Sequence, residues 1–196
     1  MTHTDLGPGV EQLKSLLASV GDAELDRPTP CPLFTVRDVI AHVGGFAQAF
    51  TAAARKERSD LVEHAPTGDP APLPADWRTR IPTDLDTLVE AWRDAGAWEG
   101  MTRIAAMDAP AEMVGATVAD EIVVHTWDVG RAVGREVATD PVLIGAAMAF
   151  LSAFASPDAP AGDDVPFGPS RPAPDNASPL DEVLALAGRD VTWTPG

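Results

Sequence analysis

Two histidines inside apolar helical patterns, His42 and His125, and a glutamate one turn before the second, Glu121, are the residues whose types and spacing could carry chemistry. Two neutral imidazoles and one carboxylate form a three-ligand set that leaves coordination positions open, the pattern of catalytic rather than structural zinc. Nickel, cobalt, manganese or iron would accept the same donors. At about 100° per residue, Val36, Val39, Val43, Phe46 and Phe50 fall in a sector roughly 40° to 120° from His42, so this imidazole borders a core stripe. On the later helix Val118, Ile122, Val129 and Val133 cluster on one side, and Glu121 and His125 flank that side about 40° apart. Asp120 points roughly 140° away from His125, which leaves Glu121 as the better carboxylate. A charged glutamate at the edge of a bundle core costs several kcal/mol unless paired, and a divalent cation shared with two imidazoles relieves that cost.

The same residues allow a plainer reading. A histidine on an apolar face is commonly a hydrogen-bonded core residue, and Glu-x-x-x-His is a common helical ion pair. Around the proposed ligands, Asp38 lies one turn before His42 and Asp128 three residues after His125; either could orient a ligand through its second ring nitrogen or accept a proton. Arg37 and Arg131 are candidates for anionic substrate groups, with a surface ion pair as the alternative. Cys31 has flanking prolines and no basic neighbour in sequence, so it reads as a small packing residue rather than a nucleophile. His3 and His64 read as exposed bystanders. Among five tryptophans, Trp127 is the one placed beside the proposed ligands.

The elements that must position these groups read as helices. Val10, Leu13, Leu16, Leu17 and Val20 have helical spacing within residues 6–20. Pro28-Thr29-Pro30-Cys31-Pro32 forces an extended link, after which Thr35 is placed to cap a helix running to about Glu57, with Asp38 in its acidic first turn. Residues 59–82, with five prolines, read as a long surface connection. Leu85, Leu88, Val89 and Trp92 mark a third helix ending near residues 96–100. A fourth covers 113–133, stopped by Gly134, and a fifth covers 142–155 after Asp140-Pro141. Seven prolines within 156–179 form an arm, followed by a short helix at 180–186. No stretch alternates as a strand would, and the expectation is an all-α antiparallel bundle with long crossover loops, residues 1–156, with a proline-rich arm and short helix, residues 157–196, packed on it.

Composition narrows the function classes. The 196 residues carry 30 acidic and 14 basic side chains, a formal charge of −16, so no basic patch is available for nucleic acid and an anionic membrane surface would repel the chain. The longest apolar runs fall short of the roughly 18 to 20 residues a bilayer requires. No secretory signal pattern opens the sequence, and one cysteine rules out an internal disulfide framework or a multi-cysteine cluster; a cytoplasmic location is expected.

Several segments resemble a known family. Pro28-Thr29-Pro30-Cys31-Pro32, then Thr35-Val36-Arg37-Asp38 and Ala41-His42-Val43-Gly44-Gly45, resemble the signature of the mycothiol-dependent maleylpyruvate isomerases. Glu121-Ile122-Val123-Val124-His125-Thr126-Trp127-Asp128, with Arg131 and Gly134, resembles that family's second motif, and Ser178-Pro179-Leu180-Asp181, Ala187-Gly188-Arg189-Asp190 and Trp193 resemble the tail of its short members. Leu33-Phe34 stands where the family usually has Gly-Trp, a departure expected to affect packing more than ligands.

The resemblance implies a DinB-like four-helix bundle with a metal on His42, Glu121 and His125, and mycothiol as co-substrate. It covers the N-terminal bundle of the full-length isomerase, so catalytic groups from that enzyme's further C-terminal domain are expected to be missing. A thiol has a pKa near 8.5, and metal coordination can deprotonate it at neutral pH for attack on an electrophilic carbon, giving transfer or isomerisation. The alternatives are a hydrolase using water in place of the thiol, or a non-catalytic ligand-binding bundle. Partners are then a low-molecular-weight thiol and a small molecule, with a homodimer as one candidate assembly.

Overall fold

In the computed structural model, residues 3–32, 34–64, 71–159 and 169–195 are described. Leu33, part of the 59–82 connection and much of the proline-rich arm lie outside them. Four helices form a ring: α1 (Gly7–Ser19), α2 (Val36–Ala54), α4 (Trp77–Arg93) and α5 (Ala111–Ala132). Helix α2 packs on α4 and α5, and α1 closes the ring against the same two. Their apolar stripes meet in a core that includes Leu13, Leu17, Val39, Ile40, Val43, Leu85, Leu88, Val118 and Ile122, all at most 1% exposed. Each such side chain contributes roughly 1.5–3 kcal/mol of burial. Two further helices cover the outside: α6 (Pro141–Phe154) lies on α5, and α7 (Pro179–Leu186) lies on α6.

Local chemistry sets the helix starts. Asp140 Oδ1 accepts hydrogen bonds from the backbone of Val142 (2.8 Å) and Leu143 (3.3 Å), and Pro141 occupies the first turn, where a missing N–H costs nothing. Ser178 and Asp181 form a reciprocal capping box at α7. After α5, Gly134 takes φ +69°, a left-handed stop that a side chain would strain.

The structure corrects two expectations. Residues 59–82 are not all connection: a single turn, α3 (Asp60–Glu63), follows α2, and α4 already begins at Trp77. Pro82 therefore lies inside α4. The turns around it are anchored by Trp77 (6% exposed) and Ile81 (1%), and the Arg78 guanidinium sits 4.2 Å above the Trp77 ring. This packing outweighs the lost backbone hydrogen bond, which is why proline content alone misplaces the boundary.

The second correction is a β-hairpin, β1 (Met101–Ile104) paired antiparallel with β2 (Met107–Pro110), in a chain expected to be wholly helical. Its turn residues Ala105 and Ala106 have φ +50° and +62°, the left-handed pair of a tight hairpin, without the Asn-Gly that usually announces it. Thr102 and Ala109 pair across the ladder and face inward, and the Thr102 hydroxyl donates to the Ala53 carbonyl of α2 (2.5 Å). The fold is nonetheless a mostly helical, DinB-like bundle. Among the described residues no helix is long and apolar enough to cross a membrane.

Candidate metal centre

Helix α2 delivers His42. Its first turn is fixed by a capping box in which the Asp38 carboxylate accepts from the Thr35 backbone N–H (2.9 Å) and hydroxyl (2.5 Å). The preceding loop is drawn back onto this start, with the Thr29 hydroxyl donating to the Phe34 carbonyl (2.7 Å) and the Val36 N–H to the Arg27 carbonyl (3.0 Å). Phe34 and Phe46 then flank the His42 ring at centroid distances of 6.1 and 5.8 Å, an apolar wall on two sides of the imidazole.

Helix α5 delivers the other two groups. Glu121 Oε2 lies 3.0 Å from His42 Nε2 and 3.1 Å from His125 Nε2, so one carboxylate oxygen faces two imidazole nitrogens from different helices. One ligand atom from each of the three residues lies within 4.8 Å of the others. A tetrahedral zinc with bonds of 2.0–2.1 Å separates its ligand atoms by about 3.3 Å, so small side-chain rotations would suffice to enclose an ion. Side-chain exposures of 10% to 17% leave the cluster open on a narrow front.

Two further charged groups, Asp128 and Arg189, lie behind His125. Its Nδ1 lies 3.1 Å from Asp128 Oδ2, and this carboxylate is fully buried. Arg189, from the segment after α7, grips Asp128 through Nε (2.9 Å to Oδ1) and Nη2 (2.9 Å to Oδ2). Burial by itself would raise the Asp128 carboxyl, but the Arg189 charge and the His125 hydrogen bond hold it below the usual carboxylate range. Burial would lower His125, yet hydrogen bonds to Asp128 and Glu121 push it up to about 9. Burial likewise opposes the charge on Glu121, and the two histidines overcome it, keeping the carboxyl well below its ordinary value.

The donor set, two imidazole nitrogens and a carboxylate, fits a divalent cation. Asp120, Glu121 and Asp128 place three carboxyls on this stretch of α5, with Arg189 the permanent cation facing Asp128. Asp120 is 3% exposed and its Oδ1 has no hydrogen-bond partner among the described residues. Burial, reinforced by neighbouring Glu121, pushes its carboxyl up to about 8. Asp120 is thus held largely neutral at pH 7, and Glu121 is the carboxylate that faces the two imidazoles.

Other candidates sit elsewhere. Asp38 bonds Thr35 in the capping box. Arg37 pairs with exposed Asp26 (3.0 Å), and Arg131 donates through Nε to the Trp193 carbonyl (2.8 Å), tying down the C-terminal segment. Trp127 is partly buried against the core. His64 is exposed and contacts the Asp60 carbonyl, and exposed His3 stacks on Trp98 with ring centroids 5.2 Å apart. Cys31 has no basic neighbour in sequence, but the fold brings it within electrostatic reach of Arg189. Sequence reasoning missed Arg189 as part of the site. The signal available was Asp128, whose position beside His125 on an inward face requires a countercharge.

A helical bundle that brings two histidines and a carboxylate together from facing helices places the protein among the DinB-like bundles. Residues 6–130 match the mycothiol maleylpyruvate isomerase N-terminal domain, and the chain belongs to that family. Two Mycobacterium tuberculosis relatives, the uncharacterized proteins MT0763 and Rv0738, are each 28% identical over 178 residues, covering 90% of this chain and 91% of theirs. The crystal structure of the mycothiol-dependent maleylpyruvate isomerase shares the fold with a TM-score of 0.55 at 21% identity, over 77% of this chain and 72% of that one. A histidine-to-alanine mutant of that enzyme gives 0.53 at 18% identity over the same shares.

Proposed function

We propose that this protein is a cytoplasmic metal-dependent enzyme that uses mycothiol to transfer to, or isomerise, a small electrophilic substrate. The observation that carries this reading is the single oxygen of Glu121 facing both His42 and His125, with all three ligand groups within 4.8 Å. Family membership supplies the thiol, and the three residues would hold a divalent ion, zinc first among the candidates. Such an ion, when bound, lowers the pKa of a thiol sulfur beside it so that the proton is lost at neutral pH.

The chain's own residues set the conditions for that chemistry. His125 Nδ1 donates a hydrogen bond to Asp128, and Nε2, which faces Glu121, is the atom that would ligate an ion once it has lost its proton. Phe34 and Phe46 restrict water on two sides of His42, which strengthens electrostatic interactions within the cluster. Cys31 lies in the loop that carries Phe34 rather than among the three ligand groups, so an external thiol is the better nucleophile.

The test is turnover by zinc-loaded protein with maleylpyruvate and other electrophilic carbon acceptors, with and without mycothiol. Consumption that needs both zinc and mycothiol, and is lost in His42→Ala, supports the reading. Equal turnover without any thiol, or none with any acceptor, contradicts it.

A further inference from the structure

The ligand groups and Asp128, the acceptor behind His125, all precede residue 130, within the region that matches the family domain, yet the side chain that grips Asp128 comes from beyond it. Arg189 meets Asp128 in a two-pronged arrangement, Nε to Oδ1 at 2.9 Å and Nη2 to Oδ2 at 2.9 Å, and its Nη1 donates to the Ala187 carbonyl at the end of α7 (3.1 Å). The same Asp128 oxygen that accepts from Nη2 also faces His125 Nδ1 at 3.1 Å. The three side chains thus form a continuous line from the C-terminal segment to the imidazole. A second tie, from Arg131 Nε to the Trp193 carbonyl (2.8 Å), anchors the same segment to α5.

We propose that Arg189 is a positioning residue of the metal centre: by gripping Asp128 it fixes the orientation of the His125 ring, so that the C-terminal segment completes the site. This rests on the reading of His42, Glu121 and His125 as a cation site. A planar guanidinium holds a carboxylate at two points and so removes its rotational freedom, which a lysine ammonium cannot do. Asp128 is fully buried; without its partner it would turn toward water or draw water in, and His125 would lose a fixed acceptor.

The experiment uses full-length protein stripped with a chelator and titrated with Co²⁺, and with Zn²⁺ against a competing chelator, in wild type, Arg189→Met and Arg189→Lys. The Co²⁺ visible spectrum reports ligand geometry, which a remote stability defect does not change. Expected are about 10-fold weaker binding and a shifted visible band in Arg189→Met, with partial recovery of affinity in Arg189→Lys. An unchanged affinity and spectrum in Arg189→Met, even with a lower melting temperature, overturns the inference and makes Arg189 a structural staple. Should Arg189→Met fail to fold, Arg189→Lys decides on the same two readouts, and a wild-type spectrum and affinity there overturn it. Wild type that takes up no metal removes the triad reading and this inference together, whereas binding by wild type and both variants alike removes the inference alone.

Discussion

His42 and His125, carried on different helices, stand edge to face with ring centroids 4.7 Å apart and planes inclined at 71°. Imidazoles held so close are compatible with a folded interior because Glu121 offers one oxygen to both. The cluster therefore depends on the carboxylate even before any ion is considered.

Glu121→Gln keeps the shape and removes that charge. An amide accepts more weakly from two imidazoles, one of which is pushed toward its protonated form. Hydrogen bonds to a charged group contribute about 1.5–3 kcal/mol, so chelator-stripped Glu121→Gln should be less stable than wild type by roughly that amount in urea denaturation. Unchanged or raised stability would show that the metal-free cluster is held by its surroundings instead.

A pH effect follows from Glu24. Its carboxylate accepts from the Gly21 backbone (2.9 Å) and pairs with Arg135 (3.1 Å), which lowers its pKa. A lowered carboxyl stabilises the fold above the ordinary glutamate value of about 4.3, and that contribution is lost as pH falls through the lowered value. Glu24→Gln should melt below wild type at pH 7, and the gap should close toward pH 3. A gap that is constant across this range would assign the effect to packing.

Gly115 has no room for a side chain. A Cβ there would overlap the ring of Trp98, whose Nε1–H donates to the Trp92 carbonyl (2.7 Å) and which is itself buried. Overpacking against a rigid ring costs about 1–3 kcal/mol, so Gly115→Ala should lose that much stability despite alanine's better helix propensity. A stabilised variant would mean that Trp98 repacks freely.

Much of the helical frame was legible in the sequence because apolar periodicity and capping residues act locally. Asp140-Pro141 and Thr35 with Asp38 mark helix starts to within a residue or two. Glu121 and His125 share a face by helix angle alone. What pattern could not supply was tertiary: the meeting of α2 with α5 that brings His42 to Glu121, and the return of the C-terminal segment that brings Arg189 to Asp128. The hairpin escaped because its four-residue strands are too short for alternation to register and its turn is Ala-Ala. Pro82 misled because buried Trp77 and Ile81 hold a helix that proline alone would disfavour.

The most direct measurement of the central claim is zinc uptake by chelator-stripped protein, followed by competition titration in wild type, His42→Ala, Glu121→Gln and His125→Ala. The three-ligand site predicts one equivalent in wild type and loss of stoichiometric, tightly held zinc in each variant. No stoichiometric uptake of zinc by wild type, or retention of wild-type affinity when any of the three is replaced, would contradict it.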